Sequence, residues 1–213
     1  SRWTAEMLER LGELSNPTVL YPPVLDPGEG LPWHEREDQF LCVGRFHESK
    51  RIETSISIVK KVRQTVLPRA RLIVVGSPVD PAYTSRLRAI ASREGDWVRV
   101  SENLTRDELN TVMGRSRYGI QAMEAEHFGM ATAEMTRAGC LVFAHNSGGS
   151  PEVLNHEIGL LWSTEESAVE KIAAITAGPA AGLSATLRRH AGMFSPAMFE
   201  ERFRKIVEAV HVN

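Results

Sequence analysis

Short apolar runs alternate with amphipathic stretches along most of the chain, and that alternation leaves few folds open to it. The runs are FLCVG (40–44), RLIVVG (71–76), WVRV (97–100), YGIQAM (118–123), CLVFAH (140–145) and IGLLW (158–162). They have the length of strands and the near-continuous apolar character of strands buried on both faces. Between them the apolar residues fall at helical spacing, with Ile52, Ile56, Val59 and Val62 in 50–66 and Tyr83, Leu87 and Ile90 in 81–94. Residues 105–116 open on Thr105 with Glu108 three positions on, a capping-box pattern, and the helix expected over 129–139 stops at Gly139. Further helices are expected over 164–176, 180–192 and 196–211. Strands and helices alternating in this way make right-handed βαβ units. The fold expected is therefore α/β, a single Rossmann-like domain with a doubly wound, mostly parallel sheet.

The ends of the chain read differently. Residues 3–12 form a short amphipathic helix, and the Pro-, Gly- and charge-rich stretch 16–38 is an irregular connection. A chain that starts on a helix, without an initiator Met, is expected to be a fragment. Cys42 and Cys140 both lie in apolar runs, which suits core packing in a reducing compartment better than a disulfide. The formal net charge of −2 provides no general field for nucleic acid, so an anionic ligand must be held by local groups. No apolar run reaches the ~20 residues that span a bilayer, and no signal peptide opens the chain.

In open parallel sheets ligands bind beyond the carboxyl ends of the strands. Three loops there carry unusual residues. After the first strand come Gly44-Arg45 and Lys50, a guanidinium fork and a mobile ammonium suited to a diphosphate. After the fourth comes Glu126-His127-Phe128-Gly129-Met130, with Glu134 further along the helix that follows. The amides at that helix start lack intrahelical partners and carry the positive end of the helix dipole, a ready anion site. Gly129 admits a phosphate close to the backbone, Glu134 can accept a ribose diol and Glu126 sugar hydroxyls. After the fifth comes Asn146-Ser147-Gly148-Gly149-Ser150-Pro151-Glu152, whose glycines permit a backbone nest. Taken singly, each has a plain alternative: two solvated cations, a capping glutamate with an exposed one, and a flexible loop before a Pro-initiated helix. There is no P-loop, no GxGxxG and no histidine spacing of a zinc site.

Together, VGRFHESK, LIVVG, VSENLTRDEL, EHFGMATAEMTRAG and HNSGGSPEVL resemble the carboxy-terminal, donor-binding domain of family 4 retaining glycosyltransferases of the GT-B fold. The two glutamates separated by seven residues are the most specific element, and EHFG with HNSGG is similar to lipid-linked-oligosaccharide mannosyltransferases. SRWTAEMLERLGELSNPTVLYPPV resembles the family's interdomain hinge, and FSPAMFEERFRKIV its last helix. The resemblance implies a hinge helix and linker remnant over 1–38, a nucleotide-sugar-binding domain over 39–194 and a crossover helix over 195–213. It implies that Arg45 and Lys50 contact the donor diphosphate and Glu134 the ribose. Glu126, the residue assigned to catalysis, would meet the hexose. His127 and the amides around Phe128, Gly129, Met130 and Ala131 would complete the donor site. No cofactor or metal is implied. The partners implied are a nucleotide-diphosphate sugar, an absent amino-terminal GT-B domain and a lipid-linked or polysaccharide acceptor, with no nucleic acid. The implied location is cytoplasmic, with attachment to the cytoplasmic face of a membrane open to the intact protein. Such a fragment would bind donor weakly and catalyse little. A sugar-phosphate synthase or epimerase on the same architecture, and a non-catalytic nucleotide-sugar-binding module, are the alternatives. One departure stands out: Arg51 follows Lys50 where many members have glycine.

Overall fold

The computed structural model describes residues 1–211. Six strands form one sheet: β1 (Glu37–Val43), β2 (Arg71–Gly76), β3 (Val98–Glu102), β4 (Ser116–Gln121), β5 (Leu141–His145) and β6 (Leu161–Trp162). Their order is β3-β2-β1-β4-β5-β6 and every pairing is parallel. The chain enters at the centre, winds outward to β3, then crosses back to build the other half from β4. The expected doubly wound sheet is present, with its switch point between β1 and β4, where such folds take ligands.

Nine helices are described: α1 (Arg2–Arg10), α2 (Ile52–Thr65), α3 (Pro81–Glu94), α4 (Arg106–Arg115), α5 (Met130–Arg137), α6 (Ser150–Val153), α7 (Glu165–Thr176), α8 (Ala180–Ala191) and α9 (Pro196–His211). Local chemistry sets their starts. Asp80 accepts the Tyr83 amide at 3.0 Å ahead of Pro81. Thr105 and Glu108 complete the capping box, with the Glu108 carboxylate taking the Thr105 amide at 2.8 Å. The helical spacing of Ile52, Ile56, Val59 and Val62 puts all four in the core. There they meet Phe40, Leu41, Leu72, Val74 and Phe143, strand residues with no exposure. Cys42 and Cys140 are buried and unbridged. Burial pushes their thiols up to about 11 and about 12, which leaves them protonated and inert.

Several boundaries depart from the sequence reading. The run 158–162 is strand only at Leu161–Trp162. Asn155 and His156 turn the chain through left-handed conformations, and Ile158 is 75% exposed. β1 begins inside the stretch read as linker, at Glu37, and β4 begins at Ser116 and ends at Gln121. Lys50 does not open α2. It closes a short turn over Glu48–Lys50, and Arg51 intervenes in a left-handed conformation, φ 48°. Two of the residues assigned to the crossover segment, 212 and 213, lie outside the described residues. Among the described residues no helix is long and apolar enough to cross a membrane.

Candidate functional site

Construction of the site starts at the end of β1. The Gly44 amide bonds the Val75 carbonyl at 3.0 Å and the Phe46 amide bonds Ser77 at 2.9 Å, which lays this loop along the end of β2. Phe46 is fully buried, so its neighbour Arg45 is left exposed. His47 Nδ1 accepts the Ser49 amide at 3.2 Å and starts the turn that carries Lys50 back over the sheet. The Lys50 ammonium lands on the Glu126 carboxylate, with side-chain exposures of only 19% and 24%. Arg51 is left-handed, and an L-residue there stores about 1 kcal/mol or more of strain. Its guanidinium pairs with Glu124.

The loop bearing Glu126 is clamped from two sides. Phe128 is buried against Tyr21 and Phe194, with centroids 5.9 and 5.2 Å away. On the other side the Gly149 amide donates to the Glu126 carbonyl at 2.7 Å. Gly148, at φ 71°, lies so close that a Cβ there would stand 2.2 Å from that oxygen. The paired glycines therefore let the loop after β5 press on the backbone of Glu126. This close approach accounts for them without invoking a nest.

Gly129, at φ 97°, precedes α5 and supplies no side-chain cap. The amides of Met130, Ala131 and Thr132 carry no hydrogen bond among the described residues, and the first bond of the helix runs from Ala133 to the Gly129 carbonyl. Three unpaired donors at the positive end of a helix thus open beside the Lys50–Glu126 pair. Between them is a small depression walled by Gln121, Met123, Glu126, Gly129, Thr132 and Ser150. A much larger groove opens at the opposite edge of the sheet, away from these donors.

The structure thus joins Lys50, Glu126, Gly129 and Ala131 in one place. Arg45 stands free on the same edge, with no hydrogen bond or ion pair among the described residues. Glu134 lies a turn further along α5, its side chain 14% exposed, and accepts from Arg106 Nη1 at 2.8 Å. Met130 is 41% exposed. The His127 ring faces Trp3, 6.0 Å away, and its carbonyl accepts the hydroxyls of Ser1 and Thr4.

Sequence reasoning missed three groups. Glu152 takes the amides of Arg2 and Trp3, each at 2.9 Å, and the Tyr21 hydroxyl at 2.8 Å, tying α1 and the connection to the loop after β5. Arg106 partners Glu134. His145 donates to or accepts from Ser147 Oγ at 2.8 Å, and burial first, then the charge of Arg51, holds its pKa below the usual histidine value. The one available signal was proximity in sequence, since Glu152 and Ser147 belong to the HNSGGSPE run and Arg106 opens the capped helix.

The chain belongs to the family described as Glycosyl transferases group 1, whose sequence model matches residues 29–191. Among curated proteins it is similar to the human GDP-Man:Man(3)GlcNAc(2)-PP-Dol alpha-1,2-mannosyltransferase, 28% identical over 98% of this chain and 47% of that protein. The Dictyostelium discoideum protein of the same name is 28% identical over 89% of this chain and 42% of its own length. The chain therefore spans about half the length of the curated relatives it matches. In fold it resembles sucrose-phosphate synthase from Thermosynechococcus elongatus, with TM-score 0.81 and 21% identity over 100% of this chain and 57% of that one. The pneumococcal O-GlcNAc transferase GtfA, solved with UDP and GlcNAc, gives TM-score 0.75 and 15% identity over 100% of this chain and 44% of that one.

Proposed function

We propose that this chain is the donor-binding half of a family 4 retaining hexosyltransferase that transfers mannose from GDP-mannose to a lipid-linked oligosaccharide. The observation that carries the reading is the Lys50–Glu126 pair set against the unbonded amides that open α5. A diphosphate placed there meets an ammonium, three backbone donors and, from the free edge, the Arg45 fork. On binding, Lys50 exchanges a carboxylate for phosphate oxygens, and Glu126 is released to accept hexose hydroxyls. Glu134 swaps Arg106 for the ribose diol. Charge growing on the leaving diphosphate is met by groups already in position, which is the main contribution this half makes to transfer, and no metal is required. Mannose, the guanine base and the lipid-linked acceptor are supported by the names of the relatives.

The organisation that fits is a hinge over 1–38, a donor domain over 39–194 and a last helix over 195–213 that returns to an amino-terminal domain carrying the acceptor site. Peripheral attachment to the cytoplasmic face of a membrane follows from a lipid-linked acceptor.

Calorimetry with UDP, GDP and ADP tests the site. Hydrogen bonds to charged groups contribute about 1.5–3 kcal/mol, so Arg45→Ala should weaken the preferred diphosphate about 10- to 150-fold. Unchanged affinity removes the diphosphate role. Glu134→Ala should weaken the nucleotide and leave pyrophosphate binding unaltered, and equal losses for both ligands end the ribose assignment.

A further inference from the structure

The amino edge of the sheet holds a second collection of charge that donor binding does not use. A groove of about 960 Å³ runs between the connection over 26–36 and one stripe of α8. Arg36, Arg137, Arg188 and Arg189 line it, opposed only by Asp26 and Glu29, a surplus of two positive charges on a chain whose net charge is −2. Arg36 is 7% exposed and spends its N–H groups on carbonyls: Leu31 at 2.8 Å, Ser116 at 3.2 Å and Ala138 at 2.7 Å. No carboxylate balances it among the described residues. Arg137 is 9% exposed, with one terminal nitrogen on Asp26 at 3.0 Å and the other buried without an acceptor. Arg188 and Arg189 reach only a carbonyl at 3.5 Å and a hydroxyl at 3.4 Å. Burial depresses the pKa of Arg36, with the charge of Arg188 a lesser cause in the same direction, and, after the Gly28 amide, Arg137 and Arg188 both help to hold the Asp26 carboxyl below its usual value.

A surplus of guanidiniums in a concave site of small-molecule size suits an anion with several oxygens, since each fork can take two of them. The other wall offers an uncharged surface. Trp33 and Pro32 stand on one side and Ala181 and Ala185 on the other.

We propose that this groove is a second ligand site, one that binds a phosphate monoester of a small molecule, with the phosphate on Arg188 and Arg189 and the organic part against Trp33. The field of Arg36 and Arg137 reinforces it from below. The site lies at the opposite edge of the sheet from the donor loops and stands whether or not the donor reading holds.

Thermal melting of the full chain with glucose 6-phosphate, inorganic phosphate or glucose tests it. Glucose 6-phosphate should raise the midpoint by about 3–6 °C at ten times its dissociation constant, phosphate should act more weakly and glucose not at all. Arg188→Ala with Arg189→Ala, both at the surface, should weaken the affinity about 10-fold or more, which cuts the shift to about a third or less, while Arg45→Ala with Lys50→Ala should leave it standing. A response halved in each variant reports one site at each edge and also supports the proposal. Equal effects of inorganic phosphate and the hexose phosphate keep the anion site and remove the role of Trp33. A response abolished by the Arg45/Lys50 pair alone, an equal response to glucose, or none at all overturns it.

Discussion

The two edges of the sheet differ in how one buried cation is held: the amino edge pairs Arg137 with Asp26, Arg115 with Glu37 and Arg117 with Asp38, yet leaves Arg36 without a carboxylate. At the carboxyl edge Lys50 meets Glu126, Arg51 meets Glu124 and Arg106 meets Glu134, so that, Arg45 aside, the cations are already neutralised. At the amino edge Arg36 is held by carbonyls alone, two of them just past the ends of α4 and α5, where the helix dipole is negative. The difference is between charge arranged for exchange and charge arranged for anchorage. A carboxylate partner can be traded for a phosphate at little net cost, because both are anions. Carbonyls at the ends of two helices cannot leave, so Arg36 fixes where α4, α5 and the incoming connection meet.

The most damaging way to break this contrast is Arg36→Ala. It takes a charged donor from three carbonyls and leaves Ser116 only the weak Cys140 thiol, and with charged hydrogen bonds contributing about 1.5–3 kcal/mol each, the loss should reach about 3 kcal/mol or more. For a chain of this size the melting midpoint should then fall by roughly 6–12 °C. Nucleotide affinity of the folded protein should not change. A midpoint within about 2 °C of the wild type would mean water replaces the guanidinium and the edge is not anchored by it.

The matching break at the carboxyl edge is Gly148→Ala. The new Cβ meets the Glu126 carbonyl at 2.2 Å and the residue sits at φ 71°, so the loop must move. Strain of this kind costs about 1–3 kcal/mol. Because Glu126 moves with its carbonyl, affinity for a nucleotide sugar should fall about 10-fold, with a smaller loss for the bare nucleotide. If stability falls and both affinities stay at wild-type values, the clamp on Glu126 has no functional meaning.

How much of this could be read in advance follows from the range of the interactions. The strands, helices and parallel class follow from periodicity, and the Thr105–Glu108 cap from a spacing of three, because those forces act within a turn or two. The Lys50–Glu126 pairing joins residues far apart in sequence, and the family resemblance placed both in the donor site without pairing them. Where the expected start of β6 over 158–160 is a turn, closed by the Leu160 amide on the Glu157 carbonyl, backbone turn chemistry overrides an apolar run that looks like strand. Arg36 was hidden for a different reason. It lies in a stretch whose composition reads as linker, and its partners are carbonyls, which leave no mark in a sequence.

A gentler probe of the carboxyl edge is pH. Burial and Arg51 hold the folded-state pKa of His145 below its ordinary value, so the native protein resists a proton that the unfolded chain accepts. This contribution is complete above about pH 6.5, the ordinary value for histidine. It is lost as pH falls from there through the depressed pKa. Denaturation midpoints measured between pH 7.5 and 5 should therefore decline, and more steeply than in His145→Asn. Identical slopes in the two proteins would remove His145 as the cause.

The smallest effect expected is that of Arg51→Gly, and its smallness is informative. Glycine relieves about 1 kcal/mol or more of left-handed strain at φ 48°. Against this stand the greater freedom of glycine in the unfolded chain, about 0.4–1 kcal/mol, and the loss of a half-exposed pair with Glu124 that contributes about 0–1 kcal/mol. The sum should lie within about 1 kcal/mol of zero by chemical denaturation, given that near-cancellation. The same variant should flatten the His145 pH slope, because the second cause of that shift is gone. A loss well beyond that range would show that Arg51 anchors the loop as Arg36 anchors the far edge, and the division between exchangeable and fixed charge would fail where it is most exposed to test.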